Sequence, residues 1–350
     1  MTTSSASPVG ADGACVGGLY EALVGVPDLA TAIAYYQRFG CRAGRPVEMD
    51  AARAHALYGV DSAVRSVRLQ HQDADHGLVR LMEWERPAGE GLGVDPDLRC
   101  IGSRWGVRLT TDILNLANHA QRARELGEPI GVIQPILAVI GEVTGAAAAA
   151  PFVDPIVGVR EMVVLQPHYR QVFFQRYGYE SPLYGQIDPH CLFRTSQHTH
   201  FGMMIVNDDH QVLRFYDETL GLKRWFDAER PYGAATGSRQ IFGLEPGETH
   251  WMVDFDDPRS GHALAERRSG KLKIVRFASS SRLPDKLERS RPGQLGYSCY
   301  TWRARNLEAL WKRVSAAGAT HVTDVLPDEF GTPAFGCRAP DGYSWVFLAA

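Results

Sequence analysis

Residues 199–222 carry the clearest alternation of apolar and polar positions in the chain. An apolar run at 200–206 is followed by the polar triplet Asn-Asp-Asp at 207–209. Apolar side chains then recur at helical spacing between 212 and 220, and Gly221 follows. Asn or Asp caps a helix start, and glycine commonly follows a helix end. The pattern therefore predicts a strand, a capped amphipathic helix and a stop.

The same pattern occurs near the N-terminus, as a strand, Asp28, a helix predicted over residues 29–39, and a glycine. Asp28 lies eight residues before Tyr36, and Asp208 lies eight residues before Tyr216. Two segments 180 positions apart thus share a start, a helix and a stop. Such self-similarity indicates a repeated structural unit.

Further matches divide the chain into four units, or modules. The alternating strands at 77–87 and 248–258 both end in an acid, an aromatic, a second acid and, two residues on, a proline. Fainter strand–helix copies begin at Trp105 and Leu295. Their helices are predicted over 114–126 and 307–317, and their last strands over 157–165 and 343–348. The four modules are predicted at 18–90, 100–166, 195–280 and 290–350.

A strand, an acidic cap, a helix with a Phe-Tyr or Tyr-Tyr pair and a glycine, followed by three strands, form a βαβββ module. The chain resembles the vicinal oxygen chelate superfamily, which includes glyoxalase I, the extradiol dioxygenases and the bleomycin-resistance proteins. The resemblance implies an α+β fold in which four modules pair into two cupped eight-stranded barrels. We expect the pairing to follow chain order. The expected parts are a disordered tail at 1–17, an N-terminal barrel at 18–166, a linker at 167–197 and a C-terminal barrel at 198–350.

Composition narrows the functional classes. The chain has 350 residues and a formal net charge of −3, so its overall charge gives no reason to expect nucleic acid or an acidic membrane as a partner. Its six cysteines are far apart and form no CxxC pair, which favours reduced thiols and a cytoplasmic location. There is no glycine-rich phosphate loop, and we therefore expect no nucleotide cofactor. The basic segment 258–293 reads as a solvated surface that contains strands.

The resemblance implies a divalent metal that holds two neighbouring oxygens of a small-molecule substrate. In the superfamily, the first strand of each module carries a metal ligand. In the third module that position is Phe201, which cannot bind metal, and His200 is one residue away. We place the leading site in the C-terminal barrel, with His200, His250 and Asp254 as ligands of Fe²⁺, Mn²⁺ or Zn²⁺. His198 shares a face of a regular strand with His200 and could form a two-histidine clamp. The alternative is that these histidines hydrogen-bond within the sheet.

A second set lies in the N-terminal barrel. Glu21, Glu83 and Glu161 fit a hard ion such as Mg²⁺ or Mn²⁺. Glu161 stands seven residues after Asp154, where the superfamily carries its last-strand glutamate. The alternative is that Glu83 and Glu161 are exposed strand ends and that Glu21 forms a buried salt bridge with Arg108.

A third arrangement needs no metal. His200 or His250 would act as a general base, and Tyr297 or Tyr300 would hydrogen-bond the substrate. Tryptophans would stack on a flat ligand, although plain core packing is the alternative for each. The tryptophans considered are Trp225, Trp251, Trp302 and Trp345.

The leading functional hypothesis is a vicinal-oxygen-chelate-type enzyme. It would carry out metal-assisted lyase, isomerase or dioxygenase chemistry on a small, oxygen-rich, aromatic substrate. Two rivals remain open: a metal-free binding protein that sequesters a flat ligand, and a metal-independent enzyme that uses a histidine base. The resemblance also makes a homodimer an expectation.

Overall fold

A computed structural model describes residues 15–94, 98–139, 156–206, 210–234, 236–278 and 282–350. Asp154 and Asp208, used above to align the modules, lie outside these residues. So do residues 1–14 of the predicted tail. Residues 15–17 are packed rather than disordered, since Val16 is fully buried and forms a β-bridge with Ala304.

Each of the four predicted modules contains a first strand, a helical segment and further strands. Module 1 contains β1 (Glu21–Gly25), α1 (Leu29–Gln37), β2 (Cys41–Ala43), β3 (Val47–Met49), α2 (Ala51–Tyr58), β4 (Val64–His71) and β5 (Leu78–Trp84). Module 2 contains β6 (Arg104–Thr110), α3 (Ile113–Glu125), β7 (Gly131–Val139), β8 (Gly158–Leu165) and β9 (Arg170–Tyr177). Module 3 contains β10 (Thr195–Val206), β11 (Arg224–Pro231), α4 (Thr236–Ile241), β12 (Thr249–Phe255) and β13 (Lys271–Phe277). Module 4 contains β14 (Gly296–Ala304), α5 (Leu307–Ala316), β15 (Leu326–Pro327), β16 (Pro333–Arg338) and β17 (Ser344–Ala349).

The first helix begins as predicted. The Asp28 carboxylate accepts a hydrogen bond of 2.7 Å from the Thr31 N–H, which satisfies a donor that has no partner within the helix. Asp112 and Asn306 cap α3 and α5 in the same way. The predicted helix of module 3 is different: it is a 3₁₀ turn at His210–Leu213 followed by a π turn at Phe215–Thr219.

The modules form two curled sheets, but their pairing differs from the prediction. Modules 1 and 4 make one nine-stranded sheet, in the order β15-β16-β17-β14-β1-β5-β4-β2 with β3 also paired to β4. Modules 2 and 3 make the other, in the order β11-β12-β13-β10-β6-β9-β8-β7. In both sheets the first strands of two modules pair antiparallel, β1 with β14 and β6 with β10. Each module presents the same first-strand edge, so the module pattern alone does not select the partner.

The predicted linker is also wrong in part. Residues 170–177 form β9, which lies between β6 and β8 and completes module 2. The aromatic side chains there alternate between the two faces of the sheet: Phe173 is fully buried, and Phe174 points the other way. After β9 the chain returns over residues 178–194 and enters β10, on the other side of β6. The connection between modules 2 and 3 thus places their first strands side by side.

The two sheets pack on each other through one face each. Trp302 and Trp345 lie in this interface, with ring centres 4.4 Å apart and nearly parallel planes. The Tyr300 hydroxyl donates a 2.7 Å hydrogen bond to the Gly202 carbonyl of the other sheet. The opposite face of each sheet curls around a cavity of its own. We call these cavities cup 1/4 and cup 2/3 after their modules. No helix in the described part of the chain is long and apolar enough to cross a membrane.

Candidate functional site

Cup 2/3 contains a cavity of about 530 Å³, within the range of small-ligand sites. Its lining combines strands from both modules with the chain between β9 and β10. Strand alternation explains which side chains enter it. Asp254 is paired with Lys273 across β12 and β13, and His200 is paired with Lys271 across β10 and β13. The polar and aromatic lining residues are Glu161, Phe174, Arg176, Tyr179, Ser181, Tyr184, His200, Trp225, Phe226, Arg230, Ser238, Asp254, Arg267, Lys271 and Lys273.

An apolar cluster fills the other end of the same face. It is built from β6, β8, β10 and β13 together with residues that follow α4, among them Phe242 and Leu244. Trp105 lies directly over Gly202, where an added Cβ would stand 2.1 Å from the indole ring. A glycine is therefore required under this tryptophan. The cluster confines open space to the polar end of the cup.

Asp254 forms the centre of the charge arrangement. Its carboxylate lies 3.0 Å from the Lys271 ammonium and 3.7 Å from that of Lys273. Burial alone would raise its pKa, but the two ammonium groups outweigh burial and lower the pKa to about 2. Asp254 is therefore a carboxylate, and Lys271, whose pKa Asp254 raises against burial, is a cation at neutral pH.

Glu161 is different, since no hydrogen bond or ion pair holds its carboxyl group among the described residues. It is partly buried on β8, and burial raises its pKa to about 6 although Lys273 acts in the opposite direction. A carboxyl group with this pKa is mainly ionised at pH 7 and can accept and return a proton readily. Perturbed carboxyl groups in a cavity are candidates for proton transfer.

His200 lines the cavity as a neutral imidazole. Its Nδ1 lies 3.2 Å from the Tyr184 hydroxyl and 3.2 Å from Thr199 Oγ1. Burial, followed by the Lys273 and Lys271 charges, lowers its pKa well below the ordinary value. His198 is not its partner. The register between β10 and β6 shifts between the two histidines, and His198 lies on the inter-sheet face beside the Tyr297 hydroxyl, 3.4 Å away.

The predicted His200–His250–Asp254 cluster does not form. His250 is on the same strand face as Asp254, but it packs among the apolar residues, with ring centres 5.9 Å from Phe242 and 5.8 Å from Phe277. Burial lowers its pKa to about 4. The alternation that put His250 on the correct face could not show that this end of the face is filled.

Four predicted aromatic and tyrosine positions also lie elsewhere. Tyr300 and Trp302 are buried between the two sheets because the pleat turns them away from the cup, and a register shift between β1 and β14 places Tyr297 on the same face. Trp251 is on the opposite face of β12 from Met252, and the Arg276 guanidinium lies 5.8 Å from its ring centre. Of the predicted aromatic residues, Trp225 does line the cavity. The Arg267 guanidinium lies over it, 3.2 Å from the centre of the Trp225 ring.

The alternative Glu21–Glu83–Glu161 site is not assembled either. Glu161 belongs to cup 2/3, whereas Glu21 and Glu83 belong to the other sheet. Glu83 accepts a hydrogen bond from the Leu29 N–H at the start of α1 and pairs with Arg65. Glu21 is fully buried in cup 1/4. The sequence suggested that Glu21 forms a buried salt bridge with Arg108. Glu21 does form a buried salt bridge, but its partners are Arg68, at 2.8 Å, and Arg80.

Around Glu21, a buried network closes this end of cup 1/4. The Arg80 guanidinium also reaches Asp328 at 3.0 Å and Glu329 at 2.8 Å. Burial alone would raise the pKa of Glu21, but Arg68 and Arg80 outweigh it and lower that pKa. The Tyr58 and Ser66 hydroxyls donate to Glu329 at 2.7 and 2.8 Å. A smaller cavity of about 320 Å³ remains elsewhere in this half, beside the end of α2.

Comparison with known proteins agrees with this architecture. Residues 197–347 match the model of the Glyoxalase/Bleomycin resistance protein/Dioxygenase superfamily. Glyoxalase I from Zea mays is 14% identical, with 95% of this chain and 92% of that chain covered at a TM-score of 0.50. This sequence match covers the C-terminal part of the chain, and the likeness of fold extends over the rest. A variant of 4-hydroxymandelate synthase from Streptomyces coelicolor is 12% identical, with 95% and 92% covered at a TM-score of 0.31. No curated protein matches the chain in sequence. At these identities the solved structures show the shared vicinal oxygen chelate fold alone.

Vicinal oxygen chelate enzymes typically use a divalent metal, and the cavity residues do not fit one. Lys271 and Lys273 already place two ammonium groups against Asp254, the carboxylate that would have to bind the ion. In the described ranges no three His, Cys, Asp or Glu side chains stand close enough to hold a metal. The positive charge at this position comes from the chain itself, and a second cation would be repelled.

The sequence prediction missed both lysines and the aromatic wall formed by Tyr179 and Tyr184. Lys271 and Lys273 were read as part of a solvated basic segment. Their alternation with Leu272 and Ile274, which are buried, indicates instead a strand with one polar face. Tyr179 and Tyr184 fell in the predicted linker, whose aromatic content indicates that it packs but does not show which surface it packs on.

Proposed function

We propose that this vicinal oxygen chelate protein is an enzyme that moves a proton on a small, oxygen-rich substrate bound in cup 2/3. Glu161 accepts the proton and returns it, as in isomerase or lyase chemistry. The observation that carries the proposal is a carboxyl group with a pKa of about 6 that faces the cavity without a hydrogen-bond partner in the described chain. It replaces the histidine base expected from the sequence, since His250 is outside the cavity and the strongly lowered pKa of His200 makes its imidazole a weak base.

The reaction follows from the charges around Glu161. The carboxylate removes a proton from a carbon next to a carbonyl group, and the C–H electron pair moves to the carbonyl oxygen. The enolate oxygen that develops is stabilised by the ammonium groups of Lys271 and Lys273, because a low-dielectric cavity strengthens that attraction. In an isomerase, the proton on Glu161 returns to the former carbonyl carbon while the proton of the neighbouring hydroxyl group passes to the enolate oxygen, so that the carbonyl group forms on the first carbon. In a lyase, the enolate re-forms the carbonyl group and expels a leaving group from the next carbon, and that group takes the bond's electron pair and the proton from Glu161.

The walls of the cavity support a flat substrate. The side chains of Trp225, Phe226 and Tyr179 line the cavity, and Phe174 lies near His200, with ring centres 5.5 Å apart. Aromatic side chains stack favourably on flat or conjugated groups. This supports the aromatic or conjugated character of the substrate that the sequence suggested.

The test is solvent-deuterium exchange followed by proton NMR on a panel of 2-hydroxy ketones, 2-hydroxy aldehydes and aryl-substituted 2-oxo acids. Exchange reports proton removal even without net conversion. We expect the wild-type protein to exchange one class of C–H bond, and Glu161→Gln to lower that rate about 100-fold or more while ligand binding is retained. Glu128→Gln, at an exposed position, is the matched control.

Two outcomes would overturn the proposal. Equal exchange by wild-type and Glu161→Gln protein would remove Glu161 from the reaction. Binding of panel members without any exchange would indicate a sequestering protein on the same fold.

A further inference from the structure

We infer that the Lys271–Lys273 pair occupies the functional place of a metal ion, and that the ligand of cup 2/3 is a small oxyanion with two neighbouring oxygens. A dicarboxylate or a 2-oxo or 2-hydroxy carboxylate has this chemistry. The inference rests on the proposed function in one respect: it places the ligand in the same cavity.

The charges that line the cavity favour an anion. Two lining side chains are acids, Asp254 and Glu161, and five are cations: Arg176, Arg230, Arg267, Lys271 and Lys273. Asp256 lies behind Lys271, at 3.3 Å, and behind Arg267, at 2.8 Å. Even with Asp256 counted, the described lining has more cations than acids. An excess of positive charge around a cavity attracts an anionic ligand and raises its local concentration.

Three of these cations form no hydrogen bond to a carboxylate among the described residues. The Lys273 ammonium is 3.7 Å from Asp254, beyond hydrogen-bond distance. The Arg176 guanidinium lies 4.7 Å from the centre of the Tyr184 ring, and the Arg230 guanidinium lies 5.3 Å from that of Phe226. Arg176 also donates a hydrogen bond to the Tyr179 hydroxyl. Each of the three cations keeps further N–H donors for a ligand carboxylate, and charge-assisted hydrogen bonds of this kind are strong.

The two lysines are suited to a pair of neighbouring oxygens. They are two residues apart on β13, so both side chains rise from the same face of the strand. Asp254 holds Lys271 at 3.0 Å and fixes one ammonium group, whereas Lys273 stays free to turn toward a ligand. Two adjacent ammonium groups can each donate to one oxygen of a vicinal pair, which is the contact that a metal ion makes in related enzymes.

The experiment uses oxalate, the simplest dianion with vicinal oxygens, and isothermal titration calorimetry on protein treated with a chelator. We expect one site per chain and a Kd that changes less than twofold when Mg²⁺, Mn²⁺ or Zn²⁺ is added at equal concentration to the protein. Lys273→Gln should weaken oxalate binding about tenfold or more, and Lys273→Arg should restore most of it. Lys223→Gln, an exposed lysine of the same module, should bind as the wild type does.

Lys273 is the substitution of choice because it makes no hydrogen bond to Asp254, so its removal leaves the Lys271–Asp254 pair intact. Circular dichroism and urea unfolding check that the variant is folded. Oxalate binding that appears only after a divalent ion is added would overturn the inference, and so would unchanged binding by Lys273→Gln.

The result is separable from the proposed function. Glu161→Gln should bind oxalate at least as tightly as the wild type, because it removes a nearby negative charge, while it fails in proton exchange. If exchange depends on Glu161 but oxalate binding needs a metal, the lysine inference fails and the proposed function stands. If oxalate binds without metal but Glu161→Gln exchanges normally, the reverse holds.

Discussion

Cup 2/3 and cup 1/4 are built from the same modules, yet their charged residues are used differently. In cup 1/4, Arg80 is completely buried and reaches three carboxylates, and the Phe330 ring covers both Arg68 and Arg80, at 4.1 and 5.1 Å. In cup 2/3, Glu161 has no partner in the described chain, and Lys273 has only a loose one. The charges of cup 1/4 satisfy one another, whereas those of cup 2/3 face a cavity.

Each cup contains a short helix that lies between the strands of one module: α2 in cup 1/4 and α4 in cup 2/3. The packing of these two helices contributes to the difference. In cup 1/4, α2 lies directly on β16, so close that a Cβ at Gly336 would stand 2.6 Å from the Leu57 carbonyl oxygen. Its Ala54, Leu57 and Tyr58 are buried in the cup. In cup 2/3, α4 is shorter, and the residues that follow it fill only the apolar end. The two helices thus pack differently: α2 covers β16, whereas the residues after α4 leave the polar end of cup 2/3 open.

The largest effect is expected from Arg80→Met in cup 1/4. It leaves Glu21, Asp328 and Glu329 buried without their common cation, and loss of one partner of a buried ion pair costs about 3–5 kcal/mol. Urea unfolding would measure the free energy of unfolding. Arg45→Met, at an exposed position, should change it by less than about 0.5 kcal/mol. A small effect of Arg80→Met would mean that cup 1/4 does not depend on this network.

In each cup a glycine lies directly under the group that packs on the sheet: Gly202 under Trp105 and Gly336 under α2. Substitution of each glycine tests that packing. Gly202→Ala forces Trp105 away from β10, and Gly336→Ala forces α2 away from β16, so each should lower the free energy of unfolding by about 1–3 kcal/mol. Gly233→Ala has open space around the added Cβ and serves as the control. If Gly202→Ala matches that control, Trp105 is not held against the sheet as described.

A smaller effect should appear in the pH dependence of stability. Burial raises the pKa of Glu161 from 4.5 to about 6, so the folded protein holds this proton more tightly than the unfolded chain does. Ionisation of Glu161 therefore lowers the free energy of unfolding as pH rises from about 4.5 to about 6, and its effect is constant above that range. The total decrease is at most about 2 kcal/mol. Glu161→Gln removes this contribution.

Urea unfolding of wild-type and Glu161→Gln protein across this pH range measures the difference between the two proteins. We expect Glu161→Gln to gain relative stability from about pH 4.5 to about pH 6. The Glu128→Gln control should show no such trend. A difference that does not vary with pH would place Glu161 in contact with water rather than in a desolvated site.

Much of the fold could be predicted from the repeat. The start of α1 at Asp28 and the extents of α3 and α5 followed from caps and helical spacing. The pairing of modules could not, because β1, β6, β10 and β14 offer equivalent edges and the choice depends on how the intervening chain returns. The helical segment before Gly221 was found, but not its 3₁₀ and π geometry.

The candidate site was predicted only in part, for related reasons. His200, Asp254, Trp225 and Glu161 were all singled out, but the sequence assigned Glu161 to a different barrel. The pairing of module 2 with module 3 is what brings it to the same cavity. Strand alternation shows which face a side chain is on, but it does not show which end of that face is filled, and His250 was misplaced for that reason.

The most direct test is an NMR titration of the side-chain carboxyl carbons in protein labelled with ¹³C at glutamate, with Glu161→Gln used to assign the resonance. We expect the Glu161 carboxyl group to titrate near pH 6, with a midpoint that shifts when oxalate binds in the cavity. A midpoint near pH 4.5, unaffected by oxalate, would contradict the claim that cup 2/3 holds a desolvated proton-transfer group.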